Sequence, residues 1–293
     1  MAAEKNQETK NKSLGRSRAL KRLLFNKKAI AGGILLLIIA LSAIFAPFIT
    51  PHSPINMSMG DRLQPPSSEH LLGTDNFGRD ILTRILYGGR VSLRIGFISV
   101  GIAVLVGCTL GILAGFYGGK VDSVIMRFID VMLALPGILL ALAIVAALGA
   151  SINNLMIAVG ISYIPVFARL MRSSVLSVIE KDYISAARGI GGNDLQIIFK
   201  HIIPNSINPI VVQATLAMAG SILSAAGLSF LGLGAQPPTP EWGSMIASTR
   251  QFIRISHYPV TFSGMAIVIT VLSLNLFGDG LRDALDPKTL EHN

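Results

Sequence analysis

The sequence predicts an all-α membrane protein with six transmembrane helices and both termini in the cytoplasm. Three observations carry that reading. Of 293 residues 51% are hydrophobic and 14% charged, with a positive mean hydropathy, which is too apolar for an ordinary soluble domain. Six apolar runs are each long enough to cross about 30 Å of hydrocarbon at about 1.5 Å per residue, although the last is short. Lys and Arg are distributed unevenly between the segments that join them: eighteen fall on one side and six on the other. Backbone groups in lipid must bond within their own segment, so long unbroken runs specify helices and exclude a barrel.

The first run, Ala29 to Ile49, follows a basic tail, Met1 to Lys28, that is expected to be partly disordered. It is too long for a secretory h-region and has no convincing small-x-small cleavage site, so it is read as a membrane anchor. The next segment, Thr50 to Arg90, opens with Pro51, Pro54, Pro65 and Pro66 and should be extended or irregular. Phe77, Ile81, Leu82, Ile85 and Leu86 then line one side of a helix at the outer membrane surface. Asp80 and Arg84 would pair at i,i+4, and Gly88-Gly89 would end it.

The second to sixth runs are Val91 to Tyr117, Val124 to Leu148, Leu155 to Val175, Pro209 to Leu233 and Phe262 to Phe277. Pro136 and Pro165 should kink their spans or open the local hydrogen-bond ladder. Gly107, Gly111 and Gly115 recur at intervals of four, and Ala217, Gly220, Ser224 and Gly227 form a similar face. Such faces let helices approach closely, either within this chain or against a second subunit. Arg127 and Asp130, spaced i,i+3 near the cytoplasmic end of the third span, are expected to pair with each other rather than line a transport path. After the fifth span, Thr239 and Pro240 would start a helix whose face carries Trp242, Met245, Ile246, Thr249, Phe252 and Ile253, with the only Trp as an anchor at the outer interface. That helix is a candidate for the outer gate or for docking a binding protein.

The excess of basic residues in the tail, the Gly118 to Arg127 turn, Arg169 to Lys200 and the end after Phe277 places those segments in the cytoplasm, since Lys and Arg resist translocation. The net charge of +9 is then a topology signal with some attraction to anionic lipid, and no nucleic-acid partner is expected. The chain divides into a tail, 1–28; a first span with an extracytoplasmic segment, 29–90; a core of five spans, 91–280, with a polar loop at about 176–207; and a C-terminal tail, 281–293.

That loop contains the stretch Asp182 to Pro204, a polar island read as two short helices. Tyr183, Ala186, Ala187 and Ile190 share one face of the first, and Gly191-Gly192 offers the positive φ that stops it. Asn193 can cap the second, with Gln196 placed to close a reciprocal pair, and Leu195, Ile198, Phe199 and Ile202 repeat the stripe until Pro204. Helices under about 12 residues need packing to persist. The loop either grips something external or packs only onto its own bundle. A DNA-binding helix-turn-helix is a third and poor option, because three basic residues are matched by three acidic ones and phosphate binding needs a basic excess.

Ser185-Ala186-Ala187, then Gly191, then Ile203-Pro204 resemble the "EAA" cytoplasmic loop of ABC importer permeases, which docks into a groove on the ATPase subunit. Ser185 stands where that pattern has Glu, and His201 where it has Ile. Leu71 to Gly96, Met126 to Gly149 and Gly227 to Ile246 resemble the "C"-type permeases of dipeptide, oligopeptide and nickel importers, over about Ala29 to Lys288. The resemblance implies the type I importer permease fold in a prokaryotic plasma membrane. It also implies a second permease, one or two cytoplasmic ATPases and an extracytoplasmic substrate-binding protein as partners. Contact with the ATPase would run through Tyr183, Ser185, Ala186, Ala187, Gly191, Leu195, Phe199, Ile203 and Pro204.

Other chemistry is missing from the sequence. Gly115 to Val121 lacks the glycine spacing of a phosphate-binding loop and the Ser or Thr after Lys120, so ATP and Mg²⁺ are expected on a partner chain. His52, His70, His201, His257 and His292 are scattered without i,i+4 spacing or a Cys partner, so no metal site is expected. Cys108 is alone in an apolar run and serves as small core filler. An intramembrane hydrolase would need a base beside Ser42, Ser99 or Ser162, and the spans contain no His. An ion-coupled secondary transporter is the remaining alternative, and it would call for a mid-membrane carboxylate and an internal repeat.

Overall fold

The computed structural model describes residues 23–285, in which helices alternate with irregular loops and the only β pairing is one bridge between Thr74 and Asp80. The N-terminal tail to residue 22 and the C-terminal tail from residue 286, with His292, lie outside the described residues. In chain order the helices are α1 (Lys27–Ile44), the short α2 (Ala46–Ile49), α3 (Ile81–Tyr117), α4 (Gly119–Leu133), α5 (Gly137–Leu148), α6 (Ile152–Ile179), α7 (Asp182–Gly189), α8 (Asp194–Ile197), α9 (Ile203–Phe230), α10 (Trp242–Thr249) and α11 (Tyr258–Leu285). Five of the described segments are long and apolar enough to cross a membrane: α1, α3, α6, α8–α9 taken together, and α11. The pair α4 and α5, bent by 88° at a short break, makes a sixth if counted as one span. Pro136 therefore does more than kink its span: it sits at the N-cap of α5 with extended ψ, and the helix stops and restarts.

The close approach of α3 and α6 forms the centre of the bundle. A Cβ on Gly107 would lie 2.7 Å from the Ile164 carbonyl, one on Gly111 2.8 Å from the Met171 Cβ, and one on Gly115 2.9 Å from the Val175 Cβ. The glycine repeat thus serves packing inside this chain, because only hydrogen fits between the two backbones. Within this pair Val100, Ala103 and Phe116 of α3 and Phe167, Met171, Val175 and Val178 of α6 are all buried in one cluster. The second small-residue face is used similarly, with Gly220 seated under the Tyr163 hydroxyl and Ala217 buried.

The outer segment departs from expectation. Gly88 and Gly89 do not end a surface helix; α3 runs through them for 37 residues. Both are buried, and a Cβ on either would meet the Trp242 ring at 3.1 Å and 3.3 Å. The glycines make a flat seat for the indole, whose Nε1 donates to the Ile85 carbonyl at 3.0 Å. Trp242 is 2% exposed, so it belongs to the core rather than to an interfacial belt. At about 1.5 Å per residue α3 is roughly 55 Å long, well beyond a 30 Å hydrocarbon layer, so part of it extends past that layer.

Asp80 and Arg84 do not pair with each other. Asp80 caps α3, accepting from the Thr83 amide at 2.7 Å, while Arg84 approaches Asp75 at 3.4 Å and donates to the Pro54 carbonyl at 2.6 Å. Asp75 also holds Arg79 at 2.7 Å. Nor does Thr239 cap the helix after the fifth span. Glu241 does, and its buried carboxyl accepts from the Gly243 and Ser244 amides at 2.9 Å each. Burial pushes this carboxyl above the usual range, and the two amides only partly oppose the shift.

Two outcomes are expected. Gly111→Leu should wedge α3 from α6 and cost about 1–3 kcal/mol, read as a lowered midpoint of thermal unfolding in lipid nanodiscs. Because the folded Glu241 carboxyl titrates above its unfolded value, its contribution is full at low pH and is lost as pH rises through the raised value. Glu241→Gln should flatten that fall in the unfolding midpoint between pH values below and above the carboxylate range.

Candidate functional site: a cytoplasmic docking element

Residues 182–204 form a helix, a turn and a second helix that continues into the membrane. α7 ends in a glycine cap: Gly192 N–H donates to the Ala187 carbonyl at 3.0 Å and Gly191 N–H to the Arg188 carbonyl at 3.0 Å, with Gly191 at φ +84°. This is the paired bonding that a left-handed residue permits at a helix end, and the Gly191-Gly192 pair supplies it as the sequence predicts. Asn193 caps α8 through its side-chain oxygen, which accepts from the Gln196 amide at 2.8 Å. The reciprocal bond from the Gln196 side chain is not formed.

Pro204 does not end the second helix. The chain passes from α8 through one wide turn, Ile198–Ile202, into α9, so that Asp194–Phe230 is a single rod of 37 residues. In the wide turn the Ile203 amide reaches back to the Ile198 carbonyl, five residues away. Pro204 sits in the first turn of α9, and the extra residue takes up the place where its missing N–H and its ring would break a regular ladder.

The stripes also differ from expectation in phase. In α7 the buried side chain is Ile184, 1% exposed, whereas Tyr183, Ser185 and Ala186 are exposed, Ala187 is half-buried, and Ile190 falls outside the helix. In the second helix Ile197, Ile198 and Ile202 are buried, while Leu195 and Phe199 face outward at 65% and 67% exposure. Ile203 is half-buried and Pro204 exposed. Ile184, Ile197, Ile198 and Ile202 join one apolar cluster with Phe116, Met171, Val175 and Val178. The element is therefore fixed to the cytoplasmic ends of α3 and α6. Arg188 adds a contact, its guanidinium carbon 5.4 Å from the centre of the Phe116 ring, and Tyr183 lies beside His201 with ring centres 6.2 Å apart. Partial burial pushes the Tyr183 hydroxyl above its usual range. What remains outside is an apolar surface of Tyr183, Ile190, Leu195 and Phe199, with Gly191 between them.

Two ion pairs brace the neighbouring helices, and the sequence reading missed both. Asp130 pairs with Arg169 of α6 at 2.5 Å instead of with Arg127, and Asp122 takes both Arg172 nitrogens at 2.5 Å. Each links α4 to α6. The first is largely exposed and adds little; the second is planar, two-pronged and partly shielded.

The histidines are less scattered than the sequence implies. His52 and His70 have ring centres 4.9 Å apart, and His70 Nδ1 is 3.1 Å from Asp80 Oδ2. His201 and His257 take no part in this group.

Residues 107–291 match the family model of the binding-protein-dependent transport system inner membrane component. The chain belongs to that family. Residues 14–66 also match the N-terminal TM domain of oligopeptide transport permease C. The dipeptide transport system permease protein DppC of Alkalihalophilus pseudofirmus is 53% identical over 270 residues, covering 92% of this chain and 89% of that protein. The glutathione transport system permease protein GsiD of Pectobacterium atrosepticum is 48% identical, covering 92% and 89%. Among solved structures, the inward-facing MetNI methionine ABC transporter superposes with a TM-score of 0.57 at 18% identity, covering 69% of this chain and 96% of that one. This family fixes the fold as that of a type I importer permease and the protein as a multi-pass component of the inner membrane.

If the glycine cap sets the angle between α7 and α8, Gly191→Val should cost about 1–2 kcal/mol, since a β-branched residue is strained at φ +84°. Faster amide hydrogen exchange confined to residues 182–197, with the spans unchanged, is the expected reading.

Proposed function

We propose that this chain forms half of the translocation pathway of an ATP-driven importer of dipeptides or short oligopeptides. It works with a second permease, one or two cytoplasmic ATPases and an extracytoplasmic substrate-binding protein. Family membership and the names of the dipeptide and glutathione relatives support the substrate class. The observation that carries the coupling role is the division of labour in residues 182–204: Ile184, Ile197, Ile198 and Ile202 are sunk into the bundle while Tyr183, Ile190, Leu195 and Phe199 stand out from it. An exposed apolar surface on so short and firmly held an element fits a groove on a partner.

In this reading Leu195, Phe199 and Tyr183 enter the groove on the ATPase. Ser185 and Ala186 lie flat against its rim, Ala187 and Gly191 shape the turn, and Ile203 and Pro204 carry the load into α9. ATP and Mg²⁺ are held by the ATPases, and this chain contributes no catalytic residue. Closure of the ATPases moves the element, and the bundle shifts between inward and outward access because the docked surface makes different contacts in the two states. Ser185, where a Glu is usual in the resembling loop, makes the docking surface less charged at that point.

The test is a reconstituted complex in proteoliposomes. Leu195→Asp and Phe199→Ala should weaken co-purification of the ATPase by about thirtyfold or more, corresponding to about 2 kcal/mol, and abolish peptide-stimulated ATP turnover. The unfolding midpoint of the permease should stay unchanged, because both side chains are exposed. Peptide uptake driven by an ion gradient without ATP would overturn the proposal in favour of a secondary transporter.

A further inference from the structure

We propose that His52, His70 and Asp80 form a binding site for a borderline divalent cation, with Zn²⁺ the ion their geometry fits. The three residues come from different parts of the outer segment: His52 just after α2, His70 from the irregular loop and Asp80 from the cap of α3. One ligand atom from each lies within 4.8 Å of the others. The docking element on the cytoplasmic side does not use them.

Asp80 is already aimed. Its Oδ1 accepts from the Thr83 amide and hydroxyl at 2.7 Å each, which leaves Oδ2 directed at His70 Nδ1 at 3.1 Å. A tetrahedral zinc with bonds of about 2.0–2.1 Å has ligand atoms about 3.3 Å apart, so this edge of the site is nearly formed. His52 is half-buried, its Nε2 3.2 Å from the Glu69 carbonyl and its ring against that of His70. A swing of about 1.5 Å would bring its nitrogen to the same spacing.

Charge points the same way. Asp80 and His70 are both buried, and among the described residues Asp80 has no Lys or Arg partner. The nearby Arg79 and Arg84 are engaged with Asp75. A buried carboxylate that accepts only from uncharged backbone and hydroxyl donors has room for a cation among its partners. To hold the ion through Nδ1, His70 would present that nitrogen unprotonated. Three protein ligands leave a fourth position for water or for a group from a docked partner. The bound ion would tie the chain after α2 to the start of α3 and stiffen the outer face.

Full-length chain carrying no polyhistidine tag, in lipid nanodiscs and stripped with a chelator, is titrated with ZnCl₂ against a fluorescent zinc chelator. The expected result is one Zn²⁺ per chain, a raised unfolding midpoint, and at least about a tenfold loss of affinity in both His52→Ala and His70→Ala. Asp80→Asn is less informative, because Asp80 also caps α3. His52→Ala decides if His70→Ala fails to fold, since His52 is half-buried and caps nothing. Absence of saturable one-to-one binding, or binding that His52→Ala leaves intact, overturns the site. Either result leaves the ATPase-coupling proposal untouched.

Discussion

The contact between α3 and α6 is the constraint from which the rest of the molecule follows. Its spacing is set by Gly107, Gly111 and Gly115, which bring one backbone against the carbonyls and Cβ atoms of the other. In lipid no hydrophobic force drives two apolar helices together, so close packing has to supply the attraction through many small dispersion contacts. Both working ends are built on this pair. At the cytoplasmic end Phe116, Val175 and Val178 provide the pocket for the docking element, and at the outer end Gly88 and Gly89 of the same α3 seat Trp242.

How much of this was legible in the sequence depends on how local the deciding physics is. The spans were legible because the cost of burying backbone in lipid writes itself into runs of apolar residues. The turn at Gly191 and the cap at Asn193 were legible because each is settled within a few residues. Gly88-Gly89 was read wrongly for the opposite reason. Glycine both ends helices and admits close neighbours, and the neighbour that decides between these, Trp242, lies far along the chain. The partners of Asp130 and Asp80 were missed in the same way, since spacing of three or four offers a local partner while the fold supplies a distant one. In the docking element the pattern contained apolar residues on both sides of each short helix. Period alone could not say that Ile184 and Ile197 would turn inward while Leu195 and Phe199 stayed out. That same ambiguity is what a two-sided element looks like in sequence, with one side packed on the bundle and one left outside it.

Pro204 shows how a residue expected to break a helix lets one continue. A regular helix through this point would set the proline ring against a carbonyl one turn back and leave that carbonyl without a donor. The wide turn over Ile198–Ile202 inserts one residue, and the rod from Asp194 to Phe230 stays continuous. Continuity matters mechanically. In the proposed coupling, a push on Leu195 or Phe199 would be delivered along one helix into the membrane rather than absorbed at a hinge in a loop. A wide turn is also the place where such a rod can change its winding without unfolding, because exchanging one bond pattern for another keeps the backbone paired.

In the proposed coupling, the side contacts decide which direction that push takes. Ile197, Ile198 and Ile202 hold the start of the rod against Phe116, Val175 and Val178, so displacement along the rod also loads the α3–α6 pair. The Asp122–Arg172 and Asp130–Arg169 bridges couple α4 to the same pair, yet α4 is separated from α5 by the break at Pro136 and an 88° bend. The closely packed limb is therefore α3, α6 and the start of α9, and the interrupted one is α4 and α5. Packed cores change between discrete arrangements rather than deforming continuously. In the proposed coupling the closely packed limb would move as a body, with the break at Pro136 as the place where the difference is taken up.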